Sequence, residues 1–228
     1  RDVLGSRGLG DVYKRQKMIL PQLSKTTMKV ALNIPLLDSR IYAQIRKKLV
    51  DAFGGRFREV IVGGAAMNEE VTNFLYKIKF PFTIGYGMTE CGPLISYDHN
   101  DEYVPGSCGQ ILKGIMKVRI DSEDPYNKVG EIQVSGENVM KGYYKNEEAT
   151  SKVFTEDGWL RTGDLGTIDA DNRIYIRGRS KTMILGASGQ NIYPEEIESK
   201  LNNLPFVMES IIIAVSYTHL TLPTILRV

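Results

Sequence analysis

Between residues 38 and 53, Ile41, Ile45, Leu49 and Phe53 recur at four-residue steps with lysines and arginines between them. That spacing predicts an amphipathic helix with Asp38 or Ser39 as its N-cap, stopped by Gly54 and Gly55. Residues 57–62 form a short apolar run that ends in Gly63 and Gly64, the signature of a buried strand. Asn68 is placed to cap a second helix with Val71, Phe74, Leu75 and Ile78 on one face, and Pro81 ends it. Residues 82–86 read as the next strand. A strand–helix–strand unit of this length implies a parallel α/β sheet. Ligands of such sheets bind beyond the carboxyl ends of the strands, where Gly63–Gly64 and Gly85–Gly87 fall.

From about residue 98 the period changes. Short strands are expected at 116–120, 131–135, 166–168 and 173–177, with turns at 121–128 and 169–172, which predicts an antiparallel sheet or small barrel. The acidic groups Asp121, Glu123 and Asp124, and Asp169 and Asp171, lack the spacing of a calcium loop and suit turns instead. Pro194 opens a helix over 194–202, with Ile197 and Leu201 on its face and Glu195, Glu196 and Glu198 in its first turns. Residues 206–215 then read as a strand. The fold class is α/β: a partial parallel α/β sheet subdomain at 17–97, an antiparallel β-barrel-like subdomain at 98–178, and the truncated start of a small α+β C-terminal domain at 179–214.

Composition narrows the function class. Two cysteines, Cys91 and Cys108, are too few for a disulfide framework, and two histidines, His99 and His219, argue against a histidine metal site or a Ser-His-Asp triad. The net charge is +2, of which the two ends carry +3 and the remainder −1, and no lysine/arginine block offers a phosphate-tracking face, so nucleic acid is not the expected partner. No run approaches the roughly 20 apolar residues of a membrane helix, and no signal peptide is visible, which points to the cytoplasm. Residues 1–16 and 215–228 fit neither period. They resemble translated sequencing-adaptor sequence of the kind found on metagenomic fragments and are expected to be a non-native leader and tail.

The chemistry gathers at Gly85-Tyr86-Gly87-Met88-Thr89-Glu90. Two glycines let backbone approach a ligand, Tyr86 offers an aromatic face to a base, Thr89 offers a hydroxyl to phosphate, and Glu90 suits Mg²⁺, a hard cation that prefers oxygen donors. This segment resembles the adenine- and phosphate-binding motif of the adenylate-forming superfamily: acyl-CoA synthetases, beetle luciferases and peptide-synthetase adenylation domains. That superfamily's other motifs follow in order. The stretches 130–136 and 140–144 are similar to its barrel motif, 159–165 (Trp-Leu-Arg-Thr-Gly-Asp-Leu) to its ribose motif, 177–181 (Arg-Gly-Arg-Ser-Lys) to its hinge, and 186–198 to the loop and helix beyond. Upstream, Gly63, Gly64 and Ala65 match a segment lining the adenine and acyl pocket. The resemblance covers roughly residues 30–214.

The resemblance implies that Asp164 accepts hydrogen bonds from both ribose hydroxyls, that Arg179 approaches ribose or phosphate, and that Met88 lies in the nucleotide motif. It implies that Thr89 and Glu90 act in catalysis, with Glu90 holding Mg²⁺, that Lys181 is the hinge, and that Gly186 and Gly189 face the pantetheine of coenzyme A. The implied reaction joins a carboxylic acid to AMP from ATP, then to coenzyme A. The motifs 85–93 and 189–198 look most like bacterial long-chain fatty-acid ligases, whose lipid substrate leaves room for peripheral membrane association. An aryl- or short-chain-acyl-CoA ligase, an acyl-AMP ligase loading a carrier protein, and a non-catalytic nucleotide-binding module are the alternatives. The superfamily's Pro-Lys-Gly phosphate loop and its C-terminal catalytic lysine have no counterpart in this sequence. The chain alone is therefore expected to be inactive and a longer parent active.

Overall fold

The computed structural model describes residues 35–64, 67–186, 188–204, 206–215 and 219–221. The expected leader at 1–16, Ala65, and residues 216–218 and 222–228 of the expected tail lie outside them. By its contacts the chain divides into two compact units, residues 1–60 with 67–82 and residues 61–66 with 83–228.

In the first unit, helix α1 (Pro35–Ala52) starts three residues before the expected cap. Proline needs no backbone N–H in a first helical turn, so Pro35 can open the helix and Asp38 and Ser39 fall inside it. Gly54 and Gly55 end the helix at φ values of +93° and +71°, with the Gly55 N–H donating to the Val50 carbonyl. Phe53, Phe57 and Phe80 pack ring against ring at about 6 Å, each pair tilted or edge-on. Helix α2 (Glu69–Lys77) is capped as expected, the Asn68 carboxamide oxygen accepting from the Val71 N–H at 3.2 Å. It buries Val71 and Leu75, and Ile78 follows at 1% exposure.

Strand β1 (Val60–Val62) pairs with β2 (Phe82–Ile84). The Val60 N–H donates to Pro81 and the Gly85 N–H to Val62, so the partners advance together, as the predicted parallel unit requires.

The second unit is built on the four-stranded antiparallel meander β5 (Met116–Asp121), β6 (Gly130–Gly136), β7 (Leu160–Ile168) and β8 (Ile174–Arg179). The expected barrel is an open sheet here: β5 and β8 are its edges among the described residues. Four strands are too few to close around a packed interior. Ile132, Val134, Leu160 and Ile174 are essentially inaccessible and form the core together with Tyr86, Cys91 and Ile95. The acidic turns behave as turn chemistry predicts. Asp124 Oδ1 accepts from the Tyr126 and Asn127 N–H groups, and Asp169 Oδ1 from those of Asp171 and Arg173.

Two short strands, β3 (Tyr86–Gly87) and β4 (Leu94–Ser96), form a hairpin around a 3₁₀ turn at Thr89–Cys91. A short helix, α3 (Glu147–Val153), lies between β6 and β7 and was not expected from the sequence. Beyond β8 come the hairpin β9 (Ile184–Leu185) and β10 (Asn191–Ile192), helix α4 (Pro194–Leu201) and the antiparallel pair β11 (Ile213–Val215) and β12 (His219–Thr221). Of the strand expected over 206–215, only its last three residues are extended in a ladder. Among the described residues no helix is long and apolar enough to cross a membrane.

Candidate nucleotide site

The site is organised by a distortion in β7. Its register with β6 pairs Arg161 with Gln133 and Leu165 with Glu131, so four steps along β7 match two along β6. Three residues, Thr162 to Asp164, thus lie opposite the single Ile132 and bulge out, and Gly163 takes φ +73°, a conformation that favours glycine. Neighbouring side chains satisfy the backbone the bulge releases. The Gly163 N–H donates to Glu131 Oε1 at 3.3 Å and the Asp164 N–H to Thr162 Oγ1 at 3.1 Å. The Gly163 carbonyl accepts from the Ser180 N–H at 2.9 Å and from the Ser180 hydroxyl at 3.1 Å. Thr162 suits the bulge by its hydroxyl and Gly163 by its positive φ.

The bulge delivers Asp164, only 6% exposed, to two partners. The Tyr86 hydroxyl donates to Asp164 Oδ2 at 2.7 Å, joining residues 78 positions apart. Arg179, the cross-strand partner of Asp164, brings its Nε to 3.2 Å from Oδ1. The guanidinium is mostly solvent-exposed, so it contributes direction more than stability. Burial, and then the negative charge of Asp164, pushes the Tyr86 hydroxyl far above its ordinary range, so it remains a donor throughout the physiological pH range. The Tyr86 ring itself packs in the core. Replacing it by phenylalanine would leave Asp164 Oδ2 buried without this donor. We expect Tyr86→Phe to cost about 1–3 kcal/mol in urea denaturation; an unchanged midpoint would show that the hydroxyl does not support Asp164.

The remaining expected residues fall into three places. Gly63 and Gly85 meet at the strand ends, where a Cβ on Gly63 would lie 3.3 Å from the Gly85 carbonyl oxygen; Gly64 follows at φ +86°. Gly87 is forced to be glycine: a Cβ there would lie 2.9 Å from the Pro93 carbonyl carbon and closer still to its oxygen. Met88 precedes the 3₁₀ turn in extended backbone, Thr89 is exposed, and Glu90 is half-buried. Cys91 beside them is fully buried, its thiol pushed up to about 11 by burial and by Glu90, which makes it an inert core thiol. Lys181, Gly186 and Gly189 lie beyond β8. Gly186 and Gly189 close the β9–β10 hairpin through Gly186 N–H to Gln190 and Gly189 N–H to Gly186. No hydrogen bond or ion pair among the described residues joins these three to Asp164.

The structure adds residues to which the sequence assigned no role. Tyr143 donates to Glu90 Oε1 at 2.9 Å, the Met140 N–H donates to the Glu90 carbonyl at 2.7 Å, and Asn138 Nδ2 donates to the carbonyls of Cys91 and Leu94 at 2.6 and 2.9 Å. Tyr143 lies in a quoted motif, but nothing in its spacing points to a partner more than fifty positions upstream.

This arrangement offers a buried carboxylate with fixed oxygens, backbone bared by glycines, and a hydroxyl and carboxylate side by side at Thr89 and Glu90. A family model described as AMP-binding enzyme matches residues 18–144. The chain belongs to the AMP-binding enzyme family. Among curated AMP-binding relatives, 4-coumarate-CoA ligase 1 of Narcissus pseudonarcissus is 31% identical over 225 residues, covering 92% of this chain and 41% of the relative. The long-chain-fatty-acid–CoA ligase FadD15 of Mycobacterium bovis is 32% identical over 169 residues, covering 74% and 27%. The chain thus spans less than half the length of these relatives. Among solved structures, ATP-bound MatB from Rhodopseudomonas palustris aligns with a TM-score of 0.63 at 33% identity, covering 77% of this chain and 36% of that one. The o-succinylbenzoate coenzyme A synthetase of Bacillus subtilis in complex with ATP and magnesium aligns with a TM-score of 0.64 at 28% identity, covering 77% and 39%.

Proposed function

We propose that this chain forms the ribose-facing and cation-facing walls of the ATP site in an AMP-forming acid–CoA ligase. The observation that carries the reading is Asp164, held in a bulge by Tyr86 and Arg179. A carboxylate presents two acceptor oxygens with about four lone-pair sites, which suits a vicinal diol even with two sites already used. Gly63 and Gly64, with Gly85, Gly87 and Met88, contribute backbone at the adenine end. Thr89 directs a hydroxyl to phosphate. Magnesium fits Glu90, whose Oε2 accepts no hydrogen bond among the described residues, and when bound supplies charge neutralisation on the phosphate oxygens.

The proposed reaction has two halves. A substrate carboxylate oxygen attacks the α-phosphorus of ATP, the bond to the β-phosphate oxygen breaks, and pyrophosphate leaves. The coenzyme A thiol then attacks the acyl carbon, AMP departs, and a thioester remains. The attacking carboxylate is already ionised at neutral pH, so the residues here need only align it and stabilise charge. Rotation at Lys181 would exchange the two halves, bringing the Gly186–Gly189 hairpin to the pantetheine arm. For the acyl group we propose a long-chain fatty acid, on the likeness of 85–93 and 189–198 to such ligases; the 4-coumarate ligases among the relatives are the reason to test aryl acids beside it.

ATP–pyrophosphate exchange by the full-length enzyme, with palmitate, 4-coumarate and acetate in turn, tests both levels. Exchange is expected with palmitate. Exchange with 4-coumarate or acetate alone would overturn the fatty-acid assignment and keep the ligase. AMP binding without exchange on any acid would identify a nucleotide-binding module instead.

A further inference from the structure

The segment after β6 has no task in the chemistry above, yet it grips the loop that carries Thr89 and Glu90. Three of its hydrogen bonds, two from Asn138 and one from Met140, go to the loop's backbone carbonyls. The fourth, from the Tyr143 hydroxyl, is the one that reaches the Glu90 carboxylate, at Oε1. With the Glu90 carbonyl held by Met140 and one carboxylate oxygen held by Tyr143, both ends of the residue are restrained. The direction of Oε2 is thereby set.

Tyr143 is fixed in its turn. Its N–H donates to Thr150 Oγ1 at 2.9 Å, and that hydroxyl donates to the Asn146 carbonyl at 2.8 Å. Asn146 caps α3, its side chain accepting from the Ala149 N–H at 3.0 Å. Gly142 completes the seat, since a Cβ there would come within 2.7 Å of the Thr150 methyl group. Helix α3 buries no residue fully, and of its residues only the partly buried Val153, in the last turn, packs against the core. Its first turn instead serves as the anchor of Tyr143, and through it of Glu90. A ligand group supported on a rigid element by a second hydrogen-bonded shell is the arrangement that metal and phosphate chemistry demands.

We propose that Tyr143 is a positioning residue for Glu90, orienting the carboxylate so that Oε2 presents to a divalent cation at the nucleotide phosphates. The proposal rests on the reading of Glu90 as the cation-holding carboxylate. Its test separates the two. In the full-length enzyme, Mn²⁺ binding in the presence of ATP is followed by electron paramagnetic resonance, and AMP binding without metal by calorimetry, for Tyr143→Phe, Glu90→Gln and the double variant. Tyr143 is partly exposed, so the phenylalanine variant is expected to fold. Tyr143→Phe should weaken Mn²⁺ binding about three- to tenfold, the effect of one lost hydrogen bond, and leave metal-free AMP binding unchanged. In the Glu90→Gln background it should have no further effect on Mn²⁺. Loss of Mn²⁺ binding in Glu90→Gln with none in Tyr143→Phe overturns the positioning role. So does a parallel loss of Mn²⁺ and AMP binding in Tyr143→Phe, which marks a general structural role. Unchanged Mn²⁺ binding in Glu90→Gln overturns the reading of Glu90 itself.

Discussion

Asp164→Asn is expected to leave the protein folded while weakening AMP binding about ten- to a hundredfold. The asparagine carboxamide keeps an oxygen to accept from the Tyr86 hydroxyl, so the buried bond that ties β3 to β7 survives. What is lost is the negative charge and one of two acceptor oxygens, replaced by a donor facing Arg179 and the proposed ribose position. A hydrogen bond to a charged group contributes about 1.5–3 kcal/mol, which sets that range. Asp164→Ala should behave differently. It strands the Tyr86 hydroxyl in a buried site, so about 1–3 kcal/mol of folding stability is lost along with binding. Calorimetric titration with AMP and urea denaturation of both variants check this. Wild-type affinity in the alanine variant would remove Asp164 from the nucleotide site.

Gly87→Ala is expected to be the most disruptive single-methyl change in the site. The new Cβ would overlap the Pro93 carbonyl group and lie 3.0 Å from the Leu94 Cα, and all of these are backbone atoms that cannot rotate away. Gly87 pairs with Leu94, and the Met88 N–H donates to the same Pro93 carbonyl at 2.8 Å. Relief therefore requires the β3–β4 hairpin to open. Overpacking of this kind costs about 1–3 kcal/mol, and the rigid opponent puts this site at the upper end. Because Tyr86 lies on one side of the clash and Glu90 on the other, ribose and cation contacts should fall together. A lowered denaturation midpoint with weakened AMP and Mn²⁺ binding is the expected pattern. A midpoint equal to wild type would show that the loop yields at no cost.

The parts of the fold legible in the sequence were those with strong local signals. Asn68 and Pro194 mark helix starts because capping and proline geometry act within one turn. The amino-terminal half of β7 was not read as strand, because the bulge at Thr162–Asp164 breaks the two-residue period there. Helix α3 was missed for a related reason: it buries no residue, so it carries no apolar stripe to detect. The opposite failure occurred at 206–212, where Phe206 and Met208 are largely exposed and an apolar run forms no ladder. For the site, residue identities were legible and connections were not. Tyr86 looked like a face for a base; that its hydroxyl holds Asp164 depends on sheet packing between residues 78 positions apart.

The latch between Ser180 and Gly163 bears on how a ligase of this kind would change step. Both the N–H and the hydroxyl of Ser180 close on the carbonyl beside Asp164, one residue before Lys181. A swivel at Lys181 therefore begins just past the last point at which β8 is fastened to β7. In the proposed swivel, Asp164 and the Arg179 backbone would stay on the stationary side, like the fixed race of a bearing, while the β9–β10 hairpin turned. On the proposed reaction, the nucleotide would remain seated while one set of reacting partners is exchanged for the next, and the intermediate would meet its thiol without leaving the protein.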